Sequence, residues 1–437
     1  MIKRLKFRST TSCRQRLAGR IGPANSAITG QLGACCLLAS LSGAGAAQAA
    51  DAPPPPLSFA VRDALDFWGG EGLVTLNKLQ VSGTIEGRYY GLEGWRAHAQ
   101  VFRTDGKSLS ARVGDIQTVD NIEAGNFTRL FEAWVERTFG DPDKPTAAVR
   151  LGLMDLNADF DSTDPASLFI NSSHGIGPDL SRSGLDGPSI FPVTGFGARI
   201  TWNVSDKLTV KSAVFDGVSG EPARPRAFVA ERFSRSDGVL GIAEFDDKLS
   251  DDLTLSAGAW SYSRALQPAF LPGASPEPGR GAFAALSTAT PKDSGWAWWV
   301  RAGIADPRAQ TVGGYFGGGV VYKGAFGREN DRLGFAVARA QVSNDARRAG
   351  GLPRAETTFE GSYQAKIGKT FAIQPDVQYV IDPAGGGRRR NALVFGVRFI
   401  ITGGYPIKAK PEDATDPTVL PDTPPPPETA KPTTGPG

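Results

Sequence analysis

The sequence predicts an all-β fold, a transmembrane antiparallel β-barrel of about sixteen strands in an exported chain. Three observations predict it. The first fifty residues have the layout of a secretory signal. No run of about 20 apolar residues follows them, which excludes helical membrane spans. The remaining chain alternates large apolar with polar residues at period two, in short segments separated by polar turns.

The export signal comes first in the chain. Residues 1–50 carry Lys3, Arg4, Lys6, Arg8, Arg14, Arg16 and Arg20 and no acidic residue, followed by the apolar stretch from Leu32 to Ala47. Ala47-Gln48-Ala49 then supplies a small-residue cleavage site, so the mature chain is expected to begin near Ala50 or Asp51. Leu32-Gly33-Ala34-Cys35 resembles a lipid-attachment box, but much of the apolar run follows Cys35 instead of preceding it. Cys13, Cys35 and Cys36 all lie inside the signal, so the mature chain has neither thiol nor disulfide. Charge changes as well. Of 48 basic residues 7 leave with the signal, and the remaining 41 face 45 acidic ones, giving −4 and removing the case for a nucleic-acid partner.

Four regions are predicted: signal peptide 1–50, a periplasmic N-terminal segment 51–78 that includes Pro53 to Pro56, a barrel 79–404, and a Pro-rich tail 405–437 too polar to bury a core. Strand-like alternation is clearest near the end of the barrel. In 391–402, Leu393, Phe395, Val397, Phe399 and Ile401 share one face and Gly396 and Arg398 the other. Phe359, Tyr363 and Ile367 oppose Glu360, Gln364 and Lys366, and Phe371, Ile373, Val377, Tyr379 and Ile381 oppose Gln374, Asp376 and Gln378. A large apolar face opposite a charged one fits a barrel whose outside meets lipid and whose inside holds water. A soluble periplasmic sugar-binding β-protein would have to expose those apolar bands to water, where they promote aggregation. Residues 57–404 divided by roughly 20 to 22 residues per strand and its connection give about sixteen strands. Short turns and both termini are expected on the periplasmic side, longer loops outside.

The same parity nominates lumen residues. Glu86 and Arg88 share the polar face of 79–90; Arg96, His98 and Gln100 that of 95–102; and Arg150, Arg199, Arg301 and Arg398 lie on polar sides, with Trp299 beside Arg301. Glu132, Trp134 and Glu136 lie opposite Phe131, Ala133 and Val135. Two registers are open there. Trp134 is either a sugar-stacking surface between two carboxylates or a residue of the aromatic girdle, and a shift by one residue exchanges the faces.

Several segments together resemble the carbohydrate-selective porin family of OprB type. They are Phe131-Glu-Ala-Trp-Val-Glu-Arg-Thr-Phe-Gly140, Val149-Arg-Leu-Gly-Leu-Met-Asp-Leu-Asn-Ala-Asp-Phe-Asp161, Leu168-Phe-Ile-Asn-Ser-Ser-His-Gly-Ile-Gly-Pro-Asp179 and Gly187-Pro-Ser-Ile-Phe-Pro192. Ala213-Val-Phe-Asp-Gly217, Tyr322-Lys-Gly-Ala-Phe326, Asp331-Arg-Leu-Gly334 and Ile373-Gln-Pro-Asp-Val-Gln-Tyr379 follow in family order. The resemblance implies a sixteen-stranded barrel in the Gram-negative outer membrane, passive diffusion of small carbohydrates, and a constriction made by inward-folded loops. It makes 155–192 the constriction loop, with Asp155, Asn157 and Asp159 offering acceptors to sugar hydroxyls. The chain departs from the usual barrel ending by continuing some 35 residues past Thr402. Monomer and homo-oligomer stay open, and so does a general diffusion porin without sugar preference.

Catalysis, cofactors and metals find no support in the residues. His98 and His174 belong to no zinc or serine-hydrolase signature, and the chain has no P-loop. A barrel lipase using His174 with Ser172 or Ser173 is the surviving enzyme alternative. Asp155 to Asp161 imitates the start of an EF-hand loop but lacks its sixth-position Gly and has Ala166 where the bidentate Glu belongs.

Overall fold

The computed structural model describes residues 55–141, 144–387 and 389–407. Sixteen strands alternate through them: β1 Leu57–Gly69, β2 Val74–Glu86, β3 Trp95–Gly106, β4 Phe127–Gly140, β5 Pro145–Met154, β6 Gly195–Asn203, β7 Leu208–Asp216 and β8 Val239–Lys248. They continue as β9 Leu253–Tyr262, β10 Arg280–Thr288, β11 Gly295–Ala305, β12 Val312–Lys323, β13 Arg332–Val342, β14 Ala355–Ile367, β15 Phe371–Ile381 and β16 Ala392–Ile407. Each strand pairs antiparallel with its chain neighbours, and β16 closes on β1 from Leu57↔Ile407 to Gly69↔Phe395. Closure removes every sheet edge, which a strand in lipid requires because nothing there can satisfy a free backbone group. No helix among the described residues is long and apolar enough to cross a membrane.

Residues 57–78, expected from the sequence as a periplasmic segment, instead form β1 and the first part of β2. The reason lies in their alternation: Phe59 and Phe67 are turned outward and exposed, while Asp66, Trp68 and Leu76 are turned inward and buried. At the other end β16 reaches Ile407, three residues past the expected limit of the barrel. The signal segment with its cleavage site, and the tail beyond Ile407, lie outside the described residues.

The two ends of the barrel differ. The end that holds Leu57 and Ile407, the turn end, has short connections such as 204–207, 249–252 and 368–370. The opposite, loop end carries L2 (107–126), L3 (155–194), L4 (217–238), L5 (263–279), L7 (343–354) and L8 (382–391). L2 and L3 fold into the barrel. Leu156, Phe160, Ile176 and Leu180 of L3 are buried against Phe215, Leu240, Ile242, Trp260, Tyr262 and Phe283 of β7 to β10. Leu109, Val113, Val119 and Ile122 of L2 are buried against Trp68, Leu76, Val380 and Val394. Where a loop packs, the inward face therefore carries large apolar residues beside the polar ones that hold the loop, and the expected polar alternation is interrupted there. Burial of this kind contributes about 25 cal/mol per Å² of apolar surface removed from water, enough to hold a loop that has little regular structure.

Candidate functional site

Buried strand side chains pin both loops, chiefly by accepting backbone N–H groups. Glu356 of β14 accepts from Ile116 N at 2.9 Å, Gln117 N at 3.0 Å and, in the neighbouring L8, Ala384 N at 2.8 Å. Glu360, two steps along the same inward face, accepts from Ile170 N at 2.5 Å and Asn171 N at 3.1 Å. Glu244 of β8 takes Asp161 N at 2.7 Å. Gln374 and Gln378 of β15 donate to the carbonyls of Leu168 at 2.6 Å and Val119 at 2.9 Å. A helix or loop end buried without such partners would leave polar groups unsatisfied at a cost of about 1–3 kcal/mol each.

Charge pairs complete the attachment. Arg301 of β11 grips Asp161 at 2.8 Å and also binds Asp179, so both ends of the L3 apex converge on one guanidinium. Gly177 and Gly303 leave the room this needs, since a Cβ at either position would fall onto Arg301 or Asp179. Arg199 binds Glu136 at 2.5 Å and Asp159, and Arg150 binds Glu136 at 2.9 Å and Asp159 at 3.2 Å. Arg398 joins Asp66 at 2.6 Å to Asp120 of L2 at 2.9 Å, and Trp68 Nε1 donates to the same Asp120 at 2.6 Å.

The residues expected from sequence parity divide by what they do. Glu86, Arg96, Glu132, Trp134, Glu136, Arg150, Arg199, Arg301, Gln374, Asp376 and Gln378 all occupy inward strand faces. Arg88 does not. It belongs to the turn Gly87–Tyr90 at the turn end, where its guanidinium lies 5.2 Å from the Tyr89 ring, because β2 stops at Glu86. Glu136, Arg199, Arg301, Gln374, Asp376 and Gln378 are inward but buried, since they are engaged with other side chains or a loop. Asp155 and Asn157 lie on L3 and line the cavity, as does Gln374. Asp159, expected to serve sugar hydroxyls, is instead held by two arginines. Asn157 staples L3 to itself, donating to Phe160 O at 3.1 Å and Gly175 O at 2.9 Å.

Trp134 occupies the inward register, opposite His98. Its faces are taken. His98 of β3 stacks on it at 5.0 Å between centroids, and the Arg150 guanidinium of β5 lies 3.9 Å from the ring on the other side. A sugar therefore meets at most an edge, and the sugar-stacking expectation gives way to a bracing role within a charged wall. Trp134→Ala is expected to lower the melting temperature in detergent while sugar-dependent block of single-channel current stays as in the parent. Weakened block at unchanged stability would contradict this.

What remains open is a cavity of about 920 Å³ bounded by L2, L3 and the strands around the β1–β16 seam. Asp115, Glu123, Asp155 and Asp186 line it together with Arg62, Lys78, Arg182, Arg332 and Arg398. The Lys78 ammonium lies 3.9 Å from the centre of the Phe191 ring, and Phe102 and Phe131 pack close by. Arg62 and Lys78 are absent from the sequence-based set because β1 and the start of β2 were read as lying outside the barrel. Glu356 is absent because the alternation predicted for this strand begins at Phe359.

Burial pushes the Asp155 carboxyl up to about 7, and nearby Glu132 adds to the effect. The folded state then keeps a proton that the unfolded state releases above the ordinary value of 3.8, so stability falls as pH rises from about 4 to 7. Asp155→Asn keeps the oxygen that accepts Asn157 N at 2.9 Å and removes the ionisation. Its melting temperature should exceed the parent's at pH 8, with the gain shrinking as pH falls towards 4. An equal gain at both pH values would refute the assignment.

A closed sixteen-stranded barrel with a loop folded into it from the strand-five connection is the geometry of a diffusion channel, and comparison with known proteins names the kind. The model of the carbohydrate-selective porin, OprB family, matches residues 70–402. This chain belongs to that family. Membership makes it a porin of the Gram-negative outer membrane for carbohydrate-selective diffusion. A solved structure of Pseudomonas putida OprB at high pH is 19% identical, with 79% of this chain and 93% of that one covered and a TM-score of 0.66, which shows a shared fold. The low-pH structure of the same protein gives 16% identity, 79% and 91% coverage and a TM-score of 0.46. A mutant Rhodopseudomonas blastica porin gives 12%, 79% and 100%, and 0.44. No curated protein matches the chain.

Proposed function

We propose that this OprB-family porin passes small carbohydrates passively through the cavity between L2, L3 and the wall around β1 and β16, after export and removal of residues 1–50. One observation carries the reading. The 920 Å³ passage is lined by both charge signs together with amide and hydroxyl groups, including Gln267, Gln364, Gln374, Asn121 and Ser167. Polyols exchange their hydration for such donors and acceptors, and mixed charge avoids trapping one ion. Volume and lining also fit a site for a single small molecule.

The lipase alternative finds no support in the geometry. Ser173 donates its hydroxyl to the Gln117 carbonyl at 3.3 Å, and His174 is sealed between Phe169, Trp299 and Glu360. Burial pushes the His174 imidazole down to about 4, so it is neutral at ordinary pH, but no acyl substrate could reach it. Liposome swelling tests the proposal. Neutral monosaccharides are expected to enter faster than zwitterionic amino acids of similar size, and equal rates for both would make the chain a general diffusion porin instead.

A further inference from the structure

The cations of the lumen differ in how their charge is compensated. On the wall from β4 to β11, Arg150, Arg199, Lys211 and Arg301 each lie within 4.0 Å of a carboxylate. Towards the turn end on the other side the pattern breaks. Among the described residues, the guanidiniums of Arg62 and Arg332 and the ammoniums of Lys366 and Lys369 make no ion pair within that distance, and the nearby Asp331 is engaged by Arg328, by Tyr363 and by the Lys366 backbone N–H at 2.9 Å. Arg332 donates only to neutral oxygens, Gln364 Oε1 at 3.1 Å and Ser167 Oγ at 3.2 Å. Lys323, which pairs with Arg332 in the strand register, likewise donates to carbonyls, those of Pro291 at 3.0 Å and of Lys292.

Arg62, Arg332, Lys366 and Lys369 converge. A second cavity of about 270 Å³ at the turn end is lined by Arg62, Arg332, Lys366, Lys369, Gln364 and Thr402 together with apolar side chains, and no carboxylate borders it. Arg62, Arg332 and Gln364 also line the larger cavity, so the two spaces share a wall. Arg62 is an exposed residue on the inward face of β1. Like charges gathered in a partly desolvated space repel, and a neutral sugar offers them no compensation. An anion does.

We propose that Arg62, Arg332 and Lys366 form an anion subsite at the turn end of the pore, fitted to a carboxylated monosaccharide. The two guanidiniums offer planar forks that match a carboxylate, while Gln364 and Thr402 beside them suit sugar hydroxyls. The polyol part of this assignment rests on the sugar-diffusion reading above. The anion part stands on the charge pattern alone.

The experiment uses the full mature protein in planar bilayers, with D-gluconate and D-glucose as probes, and in swelling liposomes with the same two solutes. In a KCl gradient the reversal potential should show chloride preferred over potassium. Gluconate should block the current at lower concentration than glucose. Arg62→Gln and Arg332→Gln should each weaken gluconate block about three- to fivefold, the size expected for a part-exposed charge pair. Lys366→Gln lies in an exposed position at the strand end and serves if either arginine variant fails to fold. Its gluconate-to-glucose ratio of swelling rates should also fall. Gluconate and glucose blocking the parent alike would overturn the sugar-acid ligand even if chloride preference persisted. Potassium preference in the parent would overturn the subsite altogether. If glucose causes no swelling while gluconate block still depends on Arg62, the neutral-sugar reading fails and the anion subsite stands.

Discussion

Replacing Arg301 with Met is expected to release L3 from the wall and widen the pore. The substitution leaves Asp161 and Asp179 facing each other in a buried site without their shared cation. Removing one partner of a buried ion pair costs about 3–5 kcal/mol, more than the retained apolar volume of Met returns. L3 keeps its apolar contacts with β7 to β10 but loses the clamp at its apex. Single-channel conductance should rise, sugar-dependent block should diminish, and the melting temperature in detergent should fall. Arg301→Lys keeps the charge but cannot bridge two carboxylates with a planar fork, so it should lie between parent and Met variant. Parental conductance in Arg301→Met would mean that apolar packing alone holds the constriction.

Glu356→Ala is expected to act as strongly on L2. Three buried amides, of Ile116, Gln117 and Ala384, lose their acceptor at once. With about 1–3 kcal/mol for each unsatisfied donor, the loss is several kcal/mol and falls on one loop and the mouth beside it. Limited trypsin digestion of the folded protein reads this directly, because Lys107 and Arg112 are exposed on L2. Cleavage there should accelerate in the variant while the barrel strands stay protected. Glu356→Gln retains one acceptor oxygen and should be cleaved more slowly than the Ala form. Equal cleavage of parent and Ala variant would show that L2 is held by Arg398 and the apolar contacts instead.

The barrel itself was legible because lipid and water impose opposite demands on alternate residues. Leu393, Phe395 and Phe399 announce their face without any knowledge of the partner strand. The site was less legible for a physical reason. Period two places Arg199, Arg301 and Gln378 inward, but it does not say whether the interior at that point holds water or a returning loop. Met154, Phe215 and Trp260 show the same gap from the other side: they are apolar and inward, which alternation alone reads as lipid-facing. Trp134 illustrates a third case, in which the face was assigned but cross-strand neighbours decide what the ring can touch. For β1 the signal was present in Phe59, Arg62, Asp66 and Phe67, and the Pro-rich stretch just before it drew the boundary too late.

Glu244, Glu356 and Glu360 take hold of L2 and L3 by their main chain. Peptide N–H groups are the same whichever amino acid carries them, so this attachment is indifferent to most changes in the loop's own side chains, proline excepted. The scaffold can therefore present altered solute-facing groups without being redesigned. Substitution of Asn121, Asp155 or Asp186 alters what a passing molecule meets and leaves these three anchors in place. Divergence among channels built this way is expected to concentrate in the loop residues that face the passage, and the wall carboxylates to change least. A transplanted L3 of equal length should seat on this barrel if it keeps its amides, the carboxylates at 161 and 179 and the buried apolar residues, whatever its passage-facing groups bring.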